Sequence, residues 1–206
     1  MDKKYIPVSD LRGIDEFLPD LSKLVKPYER VVVTSTIQFK HRVREVADYL
    51  EAIPSDIVLG CRVVIPDCDC VVIITTGEFH ALKVALITGK PVFVLSPSGI
   101  KELDQKLIND FKKKQAIRVS KVLDAKVIGV LVSTKSGQSD ERLGSEIVNT
   151  LRVKGREAYL FMANDLSPAQ LNDFPVDAWV NTACPRIIED EFDKPIVNWD
   201  ELRKVI

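Results

Sequence analysis

The chain has 206 residues, 46% of them apolar, with 29 basic and 30 acidic side chains and a formal net charge of −1. That length suits one large α/β domain or two small ones, and the charge balance argues against a strongly basic nucleic-acid binder. No apolar stretch approaches the roughly 20 residues of a spanning helix, and Met1–Tyr5 leads to no signal-peptide core, so a cytoplasmic protein without a membrane partner is expected.

Tyr5-Ile-Pro-Val8 reads as a strand-like scrap, and Leu11–Val25 as a helix interrupted near Pro19. Arg30–Ile37 is a β-branched apolar run bounded by charge, hence a buried strand. Val43, Val46, Ala47 and Leu50 recur at helical spacing. A short strand is expected over Asp56–Leu59, ending at Gly60-Cys61, and a buried one over Cys70–Thr75, ending at Thr76-Gly77. A helix then covers His80–Thr88, and Gly89-Lys90-Pro91 turns into a strand ending at Leu95. Ile100–Val122, charged and amphipathic, reads as a helical connector.

The second half follows the same plan. Lys126–Thr134 is an opening strand and Lys135-Ser-Gly-Gln138 its terminal loop. Ser139 or Asp140 caps a helix whose apolar face is Leu143, Ile147 and Leu151. Gly155 ends that helix, Glu157–Phe161 is a strand, and a short helix starts at Pro168. Asp177–Asn181 is a strand ending at Thr182-Ala-Cys184-Pro185, and Asp193-Lys194-Pro195-Ile-Val197 matches Gly89-Lys90-Pro91-Val92.

Each half thus has a strand ending in Ser-Thr, a cysteine in a loop after a strand, and a Lys-Pro before its last strand. An internal duplication of an α/β unit is the reading. Alternating strands and helices with continuously apolar strands imply parallel sheets covered on both faces. The expected organisation is an N-terminal arm over residues 1–26, α/β domains over 27–100 and 123–206, and a connector over 101–122.

Ligands bind open α/β sheets at the carboxyl ends of strands. Four loops fall there: Thr34–Gln38, Thr75–His80, Ser133–Gln138 and Asn181–Arg186. Their hydroxyls, glycines and basic groups suit carboxylates or phosphates, while Gly77 and Gly137 are equally explained as tight turns. Of the four cysteines, Cys61 and Cys184 lie just beyond strand ends with Arg62 and Arg186 close by in sequence. A nearby guanidinium favours the thiolate; the plainer alternative is a small core hydrophobe. Cys68 and Cys70 alternate at a strand start, point to one face, and read as packing. They have one residue between them, so no C-x-x-C zinc pattern exists. His80 is a substrate donor or a packed ring, Lys135 a carboxylate partner or an exposed loop lysine, Trp179 and Trp199 core anchors, and Lys112–Lys114 a solvated basic face.

Asn181-Thr-Ala-Cys-Pro-Arg186, preceded by Phe174–Ala178, resembles the third-domain signature of archaeal-type diphthamide synthase. Val58-Leu-Gly-Cys61 resembles that family's middle-domain cysteine motif. Gly77-Glu-Phe-His80, Ala85-Leu86, Thr88–Pro91, Thr34–Gln38, Ser133–Gln138 and Asp124–Lys126 are similar to family segments in the same order. The resemblance implies three similar domains, each giving one cysteine to a four-iron four-sulfur cluster, of which this chain carries the middle and last. Tyr5–Val8 resembles the last strand of the first domain. It implies Cys61 and Cys184 as metal ligands, and Gly77, His80, Lys135, Gln138 and Arg186 as residues holding S-adenosylmethionine. The implied reaction cleaves a carbon–sulfur bond to a 3-amino-3-carboxypropyl radical, which adds to a histidine of elongation factor 2. Implied partners are elongation factor 2, a chain carrying the first domain, and a homo- or hetero-dimer mate. Two thiolates hold such a cluster poorly, so a third comes from another chain, from a dimer partner, or from Cys68 or Cys70. The alternative is a non-catalytic two-domain relative acting as a binding or scaffold subunit. A three-cysteine cluster enzyme such as quinolinate synthase shares the architecture but not the motifs.

Overall fold

The structure is a computed structural model, and it describes residues 8–135 and 138–206. Tyr5–Pro7, Ser136 and Gly137 lie outside the described residues. The chain divides at Asn109/Asp110, within a long helix, into two compact units. No helix among the described residues is long and apolar enough to cross a membrane.

Unit 1 opens with a 3-10 turn at Asp15–Phe17 and then α1 (Leu18–Val25). Pro19 lies in the first turn of α1, where its missing N–H removes no helical bond. It therefore starts a helix instead of interrupting one that begins at Leu11. Leu18, Leu21 and Val25 are buried against Val31, Val33, Val72 and Phe93, so this helix is part of the unit's core. The elements that follow are β1 (Val31–Ser35), α2 (Val43–Tyr49), β2 (Ile53–Pro54), β3 (Cys70–Ile74), α3 (Glu78–Thr88), β4 (Val92–Ser96) and β5 (Gly99–Glu102). The sheet order is β2-β1-β3-β4-β5, parallel except for β5. α1 and α2 cover one face, and α3 buries Ala81, Leu82, Val84 and Ala85.

Two local readings change. Ile100–Glu102 is not the start of a helical connector but an edge strand antiparallel to β4. Ser96-Pro-Ser-Gly99 is turn chemistry: the Ser98 N–H donates to Ser96 Oγ at 3.3 Å, and Gly99 takes φ 132°, which side chains disfavour. Asp56–Leu59 is not a regular strand either. The Ser55 N–H donates to the Val33 carbonyl, but the next bond to β1 runs from Val58 to Ser35, one residue later than a regular ladder allows. The extra residue makes a bulge at Asp56-Ile57, held by the Thr34 hydroxyl on the Asp56 carbonyl.

Unit 2 takes most of α4 (Gln105–Asp124), then β6 (Val127–Ser133), α5 (Glu141–Val153), β7 (Glu157–Ala163), α6 (Pro168–Leu171), β8 (Ala178–Asn181), β9 (Ile196–Asn198) and α7 (Trp199–Leu202). The order is β7-β6-β8-β9, all parallel. The cap of α5 is Asp140, whose carboxylate accepts from the Leu143 N–H at 2.9 Å. One face packs Ile128, Val130 and Val180 on Ile147, Leu151 and Leu202, and the other packs Leu131, Trp179 and Ile196 on Leu166, Leu171 and Ile188. Trp179 is fully buried, with Phe161 edge-on at 4.9 Å.

The strand orders superimpose, β2-β1-β3-β4 on β7-β6-β8-β9, as a duplication requires. Register fixes the match: Val31 pairs with Cys70 as Ile128 pairs with Ala178. An aspartate clamp recurs with it. Asp69 accepts from the Arg30 N–H at 2.9 Å, and Asp177 accepts from Lys126 and Val127, each at 2.9 Å. These N–H donors hold both carboxyls below the ordinary carboxylate range. In this register Cys68 and Cys70 correspond to Val176 and Ala178, and all four are buried.

Candidate functional site

Cys61 sits at the tip of a tight turn. Leu59 and Arg62 exchange backbone hydrogen bonds of 2.9 and 3.1 Å, leaving Gly60-Cys61 as the two central residues. The turn follows the segment tied to Ser35, the last residue of β1, so it stands at the carboxyl end of the sheet. Its seat is the Phe79 ring, in the first turn of α3. A Cβ on Gly60 would lie 2.8 Å from Phe79 Cε1, so this approach requires glycine. The His80 ring meets Phe79 edge-on at 5.3 Å. The Cys61 side chain is free and exposed.

Gly77 caps α3 with an extended φ of −134°, and a Cβ there would meet nothing within 4 Å. Neither strain nor crowding explains this glycine, so the tight-turn explanation does not hold for it. The Gly77 N–H reaches Thr75 Oγ1 at 3.4 Å. Glu78 pairs with Lys101 across the same helix start, where a carboxylate also suits the dipole.

In unit 2, Cys184 is half-buried and opens the 3-10 turn Pro185–Glu189 beyond the carboxyl end of β8. Its loop hangs on two buried asparagines. Asn181 Nδ2 donates to the Cys184 carbonyl at 3.0 Å and to Asn198 Oδ1 at 2.7 Å, while Asn181 Oδ1 accepts from the Ala183 N–H at 3.0 Å. Asn198 Nδ2 reaches the Pro185 carbonyl at 3.3 Å. Thr182 adds bonds from its N–H and its hydroxyl to the Leu131 carbonyl. Asn181 and Thr182 belong to the loop expected from sequence, and Gly60 and Phe79 to the quoted motifs, but the bracing by these residues and by Asn198 has no sequence signal beyond asparagine at the end of an otherwise apolar strand.

Lys135 and Gln138 lie at the carboxyl end of β6, both exposed. Lys135 is 3.9 Å from Asp165, and its N–H donates to Ser133 Oγ at 3.1 Å. Arg186 is exposed and 3.9 Å from Glu189. Such long, exposed pairs hold their cations weakly.

The two cysteines do not occupy matching places in the repeat. Cys61 follows the second strand of its unit and Cys184 the third. Counting on from the shared register, Cys184 aligns with Thr76. Cys68 and Cys70 lie at the opposite, amino end of β3. Burial raises both thiols, Cys70 to about 12, which disfavours the thiolate that a metal needs. Roughly 13 Å of strand separates Cys70 from the carboxyl end. Both are core residues at the amino end of β3, as packing requires. Among the described residues no three histidine, cysteine, aspartate or glutamate side chains gather to hold a metal ion. In each unit one thiol, that of Cys61 or of Cys184, stands on a backbone-braced turn at the carboxyl end of the sheet.

The diphthamide synthesis protein family matches residues 2–206. The chain is 30% identical to 2-(3-amino-3-carboxypropyl)histidine synthase of Methanocaldococcus jannaschii over 213 residues, covering 97% of this chain and 60% of that protein. The same enzyme of Pyrococcus horikoshii is 30% identical over 219 residues, with coverage of 96% and 62%. Among solved structures, Dph2 of Pyrococcus horikoshii superimposes with a TM-score of 0.86 at 29% identity, over 95% of this chain and 63% of that one. A second structure of that protein, with a 4Fe-4S cluster, gives 0.85. The chain therefore spans less than two thirds of the length of these relatives. Matched over nearly its whole length, this chain belongs to the diphthamide synthesis family.

Proposed function

We propose that the chain works in the first step of diphthamide synthesis, the transfer of a 3-amino-3-carboxypropyl group from S-adenosylmethionine to a histidine of elongation factor 2. The observation that carries this reading is one free, braced cysteine at the carboxyl edge of each unit, in a chain whose relative Dph2 holds a 4Fe-4S cluster. Cys61 and Cys184 supply thiolates to a four-iron four-sulfur cluster. When bound, that cluster supplies the electron that breaks a carbon–sulfur bond of S-adenosylmethionine. A third thiolate comes from another domain or chain, a second copy included, because burial removes Cys68 and Cys70. The reducing cytoplasm keeps these thiols free.

The other groups bind and orient. The first turn of α3, from Gly77 to His80, turns the positive end of the helix dipole toward the carboxylate of S-adenosylmethionine. Lys135 and Arg186, weakly engaged in their present pairs, neutralise negative charge, and Gln138 adds a hydrogen bond. Anaerobic incubation of the reconstituted chain, reduced with dithionite, with elongation factor 2 and carboxyl-labelled S-adenosylmethionine tests this directly. Label on the factor is expected. Binding of the factor without label, even after a chain carrying the first domain is added, would establish a scaffold subunit instead.

A further inference from the structure

Unit 1 holds a cleft of about 400 Å³ at the amino end of its sheet, away from the candidate site. Cys68, just before β3, and Lys90, just before β4, line it, and residues 63–66 and Ile87 give it apolar walls. Val64 and Ile87 are exposed there, by 60% and 55%. The backbone N–H of Lys90 donates to Thr88 Oγ1, but its ammonium makes no hydrogen bond or ion pair among the described residues. The Lys90 side chain is half-buried and still reachable. Burial raises the Cys68 thiol and the Lys90 charge opposes that rise, so the ammonium stands close to the floor of the cleft.

The duplication explains the opening. In the shared register Lys90 corresponds to Lys194, and Val64 and Pro66 to Asn172 and Phe174. In unit 2 the Lys194 ammonium donates to the carbonyls of Asn172, at 2.8 Å, and Phe174, and the Phe174 ring packs on Phe161 and Trp179. In unit 1 Pro66 and Val71 take the places of Phe174 and Trp179, so less side-chain volume fills the space, and Lys90 makes neither carbonyl bond. A half-buried cation without a partner favours an anion beside it.

We infer that this cleft binds a small carboxylic acid with an apolar body, its carboxylate on the Lys90 ammonium and its body against residues 63–66 and Ile87. The volume suits a small organic molecule. Asp67, the acid that lines the cleft, is already paired with Arg30, which leaves Lys90 to the ligand. The site lies in unit 1 alone, needs no cluster and does not rest on the proposed function.

The test titrates the full chain with phenylpropionate by calorimetry, with phenylpropanol, phenylpropylamine and acetate as controls, and maps the site by amide chemical shifts. Saturable binding of phenylpropionate, tighter than any control, is expected, with shifts centred on residues 63–68 and 87–90. Lys90→Met should weaken binding by at least about tenfold, and Ile87→Trp, which fills the cleft from an exposed position, should abolish it. Lys194→Met, which strips the donor from two carbonyls in unit 2, should lower the melting temperature and leave binding unchanged. No saturable binding, equally tight binding of phenylpropanol, shifts centred elsewhere, or binding that survives both Lys90→Met and Ile87→Trp overturns the assignment.

Discussion

Replacing Gly60 with alanine is the sharpest probe of how the Cys61 turn is held. The added Cβ would lie 2.8 Å from Phe79 Cε1 and 3.4 Å from Cζ, where carbon atoms settle at roughly 3.5 Å or more. Gly60 is not among the positive-φ residues, so the substitution meets crowding and no backbone strain. Overpacking of this kind costs about 1–3 kcal/mol, and the stiffer unfolded chain returns about 0.4–1 kcal/mol. The net expectation is a loss of about 1–2 kcal/mol by urea denaturation, with faster alkylation of Cys61 as the turn lifts from its seat. Phe79→Leu alone gives up the edge contact with His80, about 1 kcal/mol, and leaves room at Gly60. The double variant should therefore be more stable than the two single losses predict, by about 1 kcal/mol or more. Additivity within about 0.5 kcal/mol would refute the idea that Phe79 is the surface on which the Cys61 turn rests.

Asn181→Ala strips partners from the Cys184 carbonyl, the Ala183 N–H and Asn198 together; a loss of about 2–4 kcal/mol is expected, with faster alkylation at Cys184 and none of that effect at Cys61. Gly129→Ala drives a Cβ to 2.2 Å from the buried Trp179 ring, so about 3 kcal/mol or more should be lost, read as a lowered melting temperature or an insoluble product. Cys70 carries a thiol raised to about 12 from 9.0. A raised folded-state pKa leaves stability intact below the unfolded value, so stability should fall as pH rises from about 9 towards 12; Cys70→Ala should show a shallower fall over that window in parallel denaturation series. Asp177, held low by two N–H donors, gives the opposite sign: its contribution is present above the unfolded value of 3.8 and is lost as pH falls below it, so Asp177→Asn should be less acid-sensitive than the parent.

The parallel strands were legible because their runs are continuously β-branched, and the duplication because Lys-Pro recurs before Val92 and Ile196. Two things escaped. β5 hides in a charged stretch, where the Ser96–Gly99 turn decides and not periodicity. The bulge at Asp56-Ile57 leaves no pattern, since an extra residue in a ladder looks like any other. The unequal placement of the cysteines is already in the strand count, the second strand for Cys61 and the third for Cys184, and register adds that Cys184 aligns with Thr76. The candidate site can be named from its cysteines and from the helix start at Gly77–His80. Its supports cannot: nothing in Ile196-Val-Asn198 marks that asparagine as a partner of Asn181, and the need for glycine at residue 60 appears only once Phe79 has folded onto it.

The account stands most directly on which thiols bind the cluster. Anaerobic iron and sulfide reconstitution of the full chain and of four variants, Cys61→Ala, Cys184→Ala, Cys68→Ala and Cys70→Ala, followed by reduction with dithionite and paramagnetic-resonance spectra with and without S-adenosylmethionine, measures this. Stable iron uptake with a spectrum that responds to S-adenosylmethionine is predicted for the parent and for the Cys68 and Cys70 variants, and its loss for the other two. Undiminished uptake by Cys61→Ala or Cys184→Ala, or loss in correctly folded Cys70→Ala, would contradict it.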